Sequence, residues 1–299
     1  MMGDKDIQWA YLDGQFQPLL DTKISVLDRG FLFGDGIYEV VPVYNRQLFE
    51  WPAHYARLER SLALTQISNP LSQQAWLDLL NELIERHPWP NQFIYLQITR
   101  GVQTPRDHLP AAHLTPTLLA YTNPLPAINK TNIGRGIAAI THPDLRWQHC
   151  DIKAITLLAN VIAKKSAQNA QAQDALLVRQ NGLVTEGSAS NMFLIKDGTI
   201  HTPPLNEFIL PGITRQVVEK LGTRHHVGFV ERDIQESELA TADELWLASS
   251  TKEIIPIVTL NHQPVGNGQA GPLWSKMFDL YQDYKREYKQ DYRQNTRQD

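Results

Sequence analysis

A single cysteine, Cys150, stands in 299 residues, which excludes an intrachain disulfide and any Cys-x-x-Cys metal site. Cysteine so scarce suits a reducing compartment, and the first residues, MMGDKDIQWAYLDG, lack the apolar core of a signal peptide. No apolar run approaches the ~20 residues a membrane helix needs. Basic excess is missing too: the formal net charge is −4, so the chain offers nothing to a polyanion such as nucleic acid. These absences together describe a cytoplasmic protein without a membrane or nucleic-acid partner. With 42% apolar and 20% charged residues, it has the balance of a globular chain with a large core.

Some chemistries are absent as well. The glycines of DRGFLFGDGIYEV do not form a dinucleotide fingerprint, because the spacing is wrong and a strand follows. Gly187-Ser188-Ala189-Ser190-Asn191 is not a G-x-S-x-G nucleophile elbow. His225-His226 has no partner at metal-ligand spacing, so no metal site is expected.

What is present reads as α+β. Asp13-Gly14 between apolar stretches predicts a β-hairpin, and GIYEVVPVYNRQLFEW predicts two more strands. Leu58, Leu62 and Ile67 fall near helical spacing with arginines on the other face, and QAWLDLLNELIERH makes a second amphipathic helix. FIYLQITRG and TPTLLAYTN read as buried strands. The segment TNPLPAINKTN, with two prolines and no periodicity, is a linker. The expected organisation is therefore an N-terminal α/β domain over 1–122, a linker over 123–132, a C-terminal domain over 133–284, and a polar, fraying helical tail over 285–299. In the C-terminal part, GIAAITHP predicts a strand and the residues after Lys153 a helix. Asn181-Gly182 and Asp197-Gly198 mark two tight hairpins. ITRQVVEKLG reads as a helix closed by Gly222.

Lys153 stands between Ile152 and Ala154. A lysine there either snorkels to solvent or sits in an apolar setting that favours the neutral, nucleophilic amine; spacing does not choose. Glu186, in LVTEGSASNMF, either ends a strand in a plain turn or offers a buried carboxylate to a protonated ring nitrogen. The amides of Ile213 and Thr214 after Gly212, and the hydroxyls of Ser249, Ser250 and Thr251, suit an anion, with Arg57 adding charge. Arg106 and His108 alternate along TRGVQTPRDHLP and can clamp a carboxylate.

Four segments, DRGFLFGDGIYEV, CDIKAITLLANVIAK, VTEGSASNMFLIKDG and ILPGITRQVV, carry a resemblance to the class IV aminotransferases, nearest their D-amino acid branch. That resemblance implies a two-domain fold type IV enzyme, with a smaller N-terminal α/β domain and a larger, mixed β-barrel-like C-terminal domain with helices. It implies pyridoxal 5'-phosphate, held by Lys153 as a Schiff base, with Glu186 facing the pyridine nitrogen. Leu210 packs on the ring, and Arg57, Ile213, Thr214, Ser250 and Thr251 take the phosphate. Tyr38, Arg106 and His108 trap the substrate carboxylate. The implied reaction moves an amino group between D-amino acids such as D-alanine and 2-oxo acids such as 2-oxoglutarate, by ping-pong kinetics in a homodimer. A branched-chain L-amino acid transaminase and an aminodeoxychorismate lyase share the fold and remain alternatives. The PR-x-H pattern at 105–108 favours the D-amino acid branch.

Overall fold

The computed structural model describes residues 7–295, which divide into two compact units. The first comprises the chain up to Ala127 together with Ile152–Thr156; the second comprises Ile128–Asp151 and the chain from Leu157 on.

In the first unit the strands are β1 (Trp9–Leu12), β2 (Gln15–Pro18), β3 (Gly36–Tyr44), β4 (Gln47–Leu48), β5 (Gln92–Thr99) and β6 (Thr117–Pro124), and the helices are α1 (Arg29–Phe33), α2 (Trp51–Thr65) and α3 (Gln73–Glu85). The strands form one antiparallel sheet in the order β2-β1-β6-β5-β3-β4. Asp13 (φ 46°) and Gly14 (φ 98°) make the first hairpin turn, a conformation that favours Asp-Gly over β-branched residues. Period-2 alternation buries Ile94, Leu96 and Ile98 of β5 against Leu58 and Leu62 of α2 and Trp76, Leu80 and Leu83 of α3. Arg57 departs from the expectation of an outward arginine face: it is buried, because Glu39 on β3 supplies its counter-charge.

The second unit contains the short helix α4 (Lys130–Ile133), then β7 (Ile137–Pro143), α5 (Leu158–Asn169), β8 (Asp174–Val178), β9 (Val184–Gly187), β10 (Asn191–Lys196), β11 (Thr199–Thr202), α6 (Ile213–Arg224), β12 (Gly228–Glu231), β13 (Glu244–Ser249), β14 (Glu253–Leu260), β15 (Gln263–Pro264) and α7 (Pro272–Asn295). Its mixed sheet runs β12-β11-β10-β13-β14-β7-β8-β9, with β15 on β14. The sheet curls until the Gly187 amide donates to the Ser190 carbonyl at 2.6 Å, bringing β9 beside β10. Leu176, Met192, Leu194, Leu245, Leu247 and Ile257 fill its core.

Two local expectations are corrected. The helix after Lys153 starts only at Leu158, because Ala154 and Ile155 first pair with β3: Ala154 bridges Ile37, and the Ile155 amide donates to the Gly36 carbonyl at 3.1 Å. Gly222 does not close α6, which continues to Arg224; a Cβ at 222 would meet only ordinary contacts, 3.6 Å from the Val227 carbonyl oxygen and 3.7 Å from the Phe229 Cβ. The helical tail expected from 285 continues α7 through Asn295, and 296–299 lie outside the described residues. Among the described residues no helix is long and apolar enough to cross a membrane.

Asp28 ties the entrance of α1 to the sheet. Fully buried, it accepts from the Gly30 amide (2.8 Å), the Thr99 hydroxyl (2.9 Å) and the Thr117 hydroxyl (2.7 Å). Asp28→Ala removes a cap and leaves two buried hydroxyls without their acceptor, a loss of about 2–4 kcal/mol. Urea denaturation reads this, and a loss below about 1 kcal/mol would contradict the assigned role of these bonds.

Candidate active site

In the first unit, Lys153 is set by main-chain pairing. The Tyr38 amide donates to the Lys153 carbonyl at 2.9 Å, so the lysine leaves an extended backbone alongside β3. Its Nζ lies 4.0 Å from the centroid of the Tyr38 ring, an attraction between cation and π face. Tyr38 in turn stacks on Tyr95 at 5.8 Å. The side chain of Lys153 is half-buried, neither swept into solvent nor sealed in the core.

Beneath this lysine lies a buried charge cluster. Glu39 accepts from Arg57 through Nε (2.7 Å) and Nη2 (2.8 Å), and from His54 Nδ1 at 2.9 Å. Burial works to raise the Glu39 carboxyl, but the charge and hydrogen bonds of Arg57, with those of His54, outweigh it and hold the pKa far below the usual range. Burial lowers His54, which feels Lys153 as well as Arg57 and Glu39; the neutral ring therefore donates through Nδ1. Sequence reading missed Glu39 and His54. The available signal was a glutamate in phase with Ile37 and Val41, on the core side of β3.

Arg106 and His108 lie on the exposed loop between β5 and β6. The Arg106 guanidinium covers Phe33 at 4.4 Å, and the His108 ring meets the same phenyl at 5.2 Å. The pair is thus brought together; among the described contacts none joins it to Tyr38, which lies with Lys153.

In the second unit, Glu186 on β9 is 5% exposed. It receives a short charged bond from Arg146 Nη1, the Asn191 amide nitrogen at 3.1 Å and the Leu210 main-chain amide at 3.3 Å. Arg146 also forks onto Asp144 at 2.9 and 2.8 Å and reaches the Phe208 carbonyl at 3.1 Å. Burial raises the Glu186 pKa, and Arg146 opposes the rise without cancelling it. Asp144 is held low: burial pulls up, and the Arg146 bonds and charge win. Arg146 and Asn191 went unnoticed in the sequence, since each partner of Glu186 is a fold contact with no motif spacing.

Asn191 also links the carboxylate to α6. Its amide nitrogen donates to the Leu210 carbonyl at 2.8 Å, and a methyl at Gly212 would collide with its side-chain oxygen. Ile213 and Thr214 then open α6, both buried, with first-turn amides that a helix leaves without intrahelical acceptors. The Ser250 and Thr251 hydroxyls occupy the β13–β14 turn, just beyond Ala248, which pairs with Asn191. Glu186, Leu210, Ile213 and Thr214 are thus one connected set, with Ser250 and Thr251 on the neighbouring hairpin. Arg57, expected among the anion ligands, lies in the first unit and forks onto Glu39. Among the described residues no three His, Cys, Asp or Glu side chains gather into a metal-holding group.

Each unit, taken by itself, holds donors suited to part of a phosphorylated pyridine aldehyde: the amine in the first, the carboxylate and the anion donors in the second. An amine can take an aldehyde, a buried carboxylate can take a ring N–H, and helix-start amides with turn hydroxyls can take a phosphate.

Residues 36–260 match the amino-transferase class IV family. The chain is 40% identical to the D-alanine aminotransferase of Bacillus licheniformis over 261 residues, 87% of this chain and 91% of that one. It is 36% identical to the D-alanine aminotransferase of Staphylococcus aureus (strain MSSA476), over 92% of this chain and 96% of that one. Its fold matches a branched-chain amino acid aminotransferase of T.th., solved with pyridoxamine 5'-phosphate, with a TM-score of 0.87 and 22% identity over 93% of this chain and 94% of that one. The chain belongs to the class IV aminotransferases.

His54 yields a pH prediction. Its folded pKa lies below the ordinary value, so the unfolded chain takes up the proton first and stability falls as pH drops below about 6.5. His87 and His201, also lowered by burial, add the same sign. Glu39 and Asp144, both depressed, cause a further loss below about pH 4, where unfolded carboxyls protonate. His54→Gln makes the slope of unfolding free energy between about pH 7 and 5.5 shallower, by up to about one proton. An unchanged slope in urea titrations contradicts a neutral, buried His54.

Proposed function

We propose that this chain is a pyridoxal-phosphate-dependent D-amino acid aminotransferase, exchanging the amino group of D-amino acids such as D-alanine with 2-oxo acids such as 2-oxoglutarate. The observation that carries the chemistry is Lys153, its amine held at 4.0 Å from the Tyr38 ring by main-chain pairing. The D-alanine aminotransferases aligned over about nine-tenths of the chain support the substrate class.

When bound, pyridoxal 5'-phosphate supplies an aldehyde carbon for the amine and a ring that draws off electrons from the substrate's α-carbon. Lys153 would hold the cofactor through Nζ, and its amine would give up that place to the incoming substrate amine. Freed, the same Nζ takes the α-proton as general base and returns it to the cofactor's side. Tyr38 keeps the amine on one side of its ring during both tasks. Glu186 is assigned to the ring N–H: burial strengthens the carboxylate as a proton acceptor, and Arg146 with Asn191 fixes its direction. Ile213, Thr214, Ser250 and Thr251 are assigned to the phosphate, with Arg57 adding positive charge, and Leu210 to the ring face. Arg106, His108 and Tyr38 are assigned to the substrate carboxylate. The two substrates bind in turn at the one set of residues.

A homodimer belongs to the same reading. It is supported by large apolar side chains left exposed in each unit: Leu20, Val26, Phe31 and Leu109 in the first, and Leu145, Leu158 and Val161 in the second. A cytoplasmic location is supported by the lone cysteine, whose buried thiol is pushed up to about 11.

Initial rates with 2-oxoglutarate decide the substrate. D-alanine is expected to outrun L-leucine by at least about 100-fold in kcat/KM, the discrimination a site built around a fixed carboxylate clamp can reach. A preference for L-leucine overturns the D-amino acid assignment, and pyruvate release from aminodeoxychorismate points to the lyase.

A further inference from the structure

We propose that Arg29 is a positioning residue: it sets the conformation of the loop carrying Arg106 and His108, and so governs capture of the substrate carboxylate without touching it. The inference rests on the reading of Arg106 and His108 as carboxylate ligands.

Arg29 opens α1 and is 3% exposed. Its Nε donates to Asp35 at 2.8 Å. Nη1 donates to the Asp107 carbonyl at 2.6 Å and the Gln103 side-chain oxygen at 3.1 Å, and Nη2 to the His108 carbonyl at 2.8 Å. Asp35 is gripped from a second direction by Arg100, at 2.8 and 2.9 Å, so the guanidinium cannot swing away. Gln103 extends the hold, donating to the Leu109 carbonyl and accepting from the Ala111 amide, both at 3.1 Å. The backbone of an exposed, irregular loop is thereby pinned at 107, 108, 109 and 111.

Arg106 and His108 are left with exposed side chains, resting on the Phe33 ring. Residues spaced two apart on extended backbone share a face, so their convergence on one carboxylate depends on the dihedrals between them. Arg29 grips the Asp107 carbonyl, which lies between the two side chains, and the His108 carbonyl just after them. A planar guanidinium serves these four acceptors in fixed directions, which a lysine's point charge does not reproduce. Pairing with Asp35 alone would explain a buried arginine; it would not explain bonds to two successive loop carbonyls.

The test uses the full-length holoenzyme with Arg29→Lys, Gln103→Ala and Arg106→Ala. For Arg29→Lys, KM for D-alanine and for 2-oxoglutarate rises about tenfold while kcat stays within about twofold, the signature of lost ground-state binding. Cofactor content and visible spectrum stay unchanged, as does the half-reaction rate with a primary amine lacking a carboxylate. Gln103→Ala, on a half-buried side chain, shows a smaller rise of the same kind and keeps the test open should Arg29→Lys fail to fold. Arg29→Lys added to Arg106→Ala raises KM little beyond Arg106→Ala alone, because both act on one contact. If Arg106→Ala raises KM and neither Arg29→Lys nor Gln103→Ala does, the positioning role is wrong. A fall in kcat with loss of cofactor, equal for substrates with and without a carboxylate, also overturns it. If Arg106→Ala itself leaves KM unchanged, the carboxylate assignment fails first, and the positioning role with it.

Discussion

Two main-chain hydrogen bonds hold Lys153 where its proposed chemistry needs it. The Tyr38 amide binds the lysine's own carbonyl, and the Ile155 amide binds the Gly36 carbonyl, so residues 153–155 are pinned beside the start of β3 around the single bridge of Ala154 to Ile37. Backbone pairing of this kind is obligatory once the groups are buried, and it fixes the lysine's Cα more firmly than side-chain contacts could. The Tyr38 ring then fixes the amine. Even the late start of α5 follows from it, since main-chain groups already paired with β3 cannot also close helical turns.

Around that lysine the chain accepts a costly arrangement. A carboxylate, a guanidinium and an imidazole are buried together at Glu39, Arg57 and His54; burying such charges is tolerable only when every one is paired and hydrogen-bonded. The second unit repeats the solution with Glu186, Arg146 and Asp144. The two clusters differ in balance. Glu39 has two cationic or donor partners and a strongly lowered pKa, whereas Glu186 has one guanidinium shared with Asp144, and burial wins. A carboxylate with raised proton affinity suits an acceptor for a ring N–H, and one with lowered affinity suits a fixed negative charge.

Much of this was legible in the residues. Asp-Gly and Asn-Gly turns marked the hairpins because their positive φ admits few other residues, and alternation marked β3 and β5. Lys153 and Glu186 stood out through motifs that resemble the class IV enzymes. What the sequence concealed were the partners. Arg146 lies 40 residues from Glu186 and Arg29 lies 79 from His108, and no local spacing encodes such pairs. Arg57 misled for a related reason: helical spacing assigned it outward, and only the sheet beside it reveals the carboxylate that draws it in. Gly222 looked like a helix stop, but α6 runs through it to Arg224.

The central claim is that Lys153, and no other lysine, forms the covalent link to pyridoxal phosphate. Borohydride reduction of the holoenzyme followed by proteolysis and mass spectrometry tests it directly. The account predicts the reduced pyridoxyl group on the peptide containing Lys153, and on no other; the label on Lys164, Lys165 or Lys252 instead, or a protein that takes up no cofactor, would contradict it.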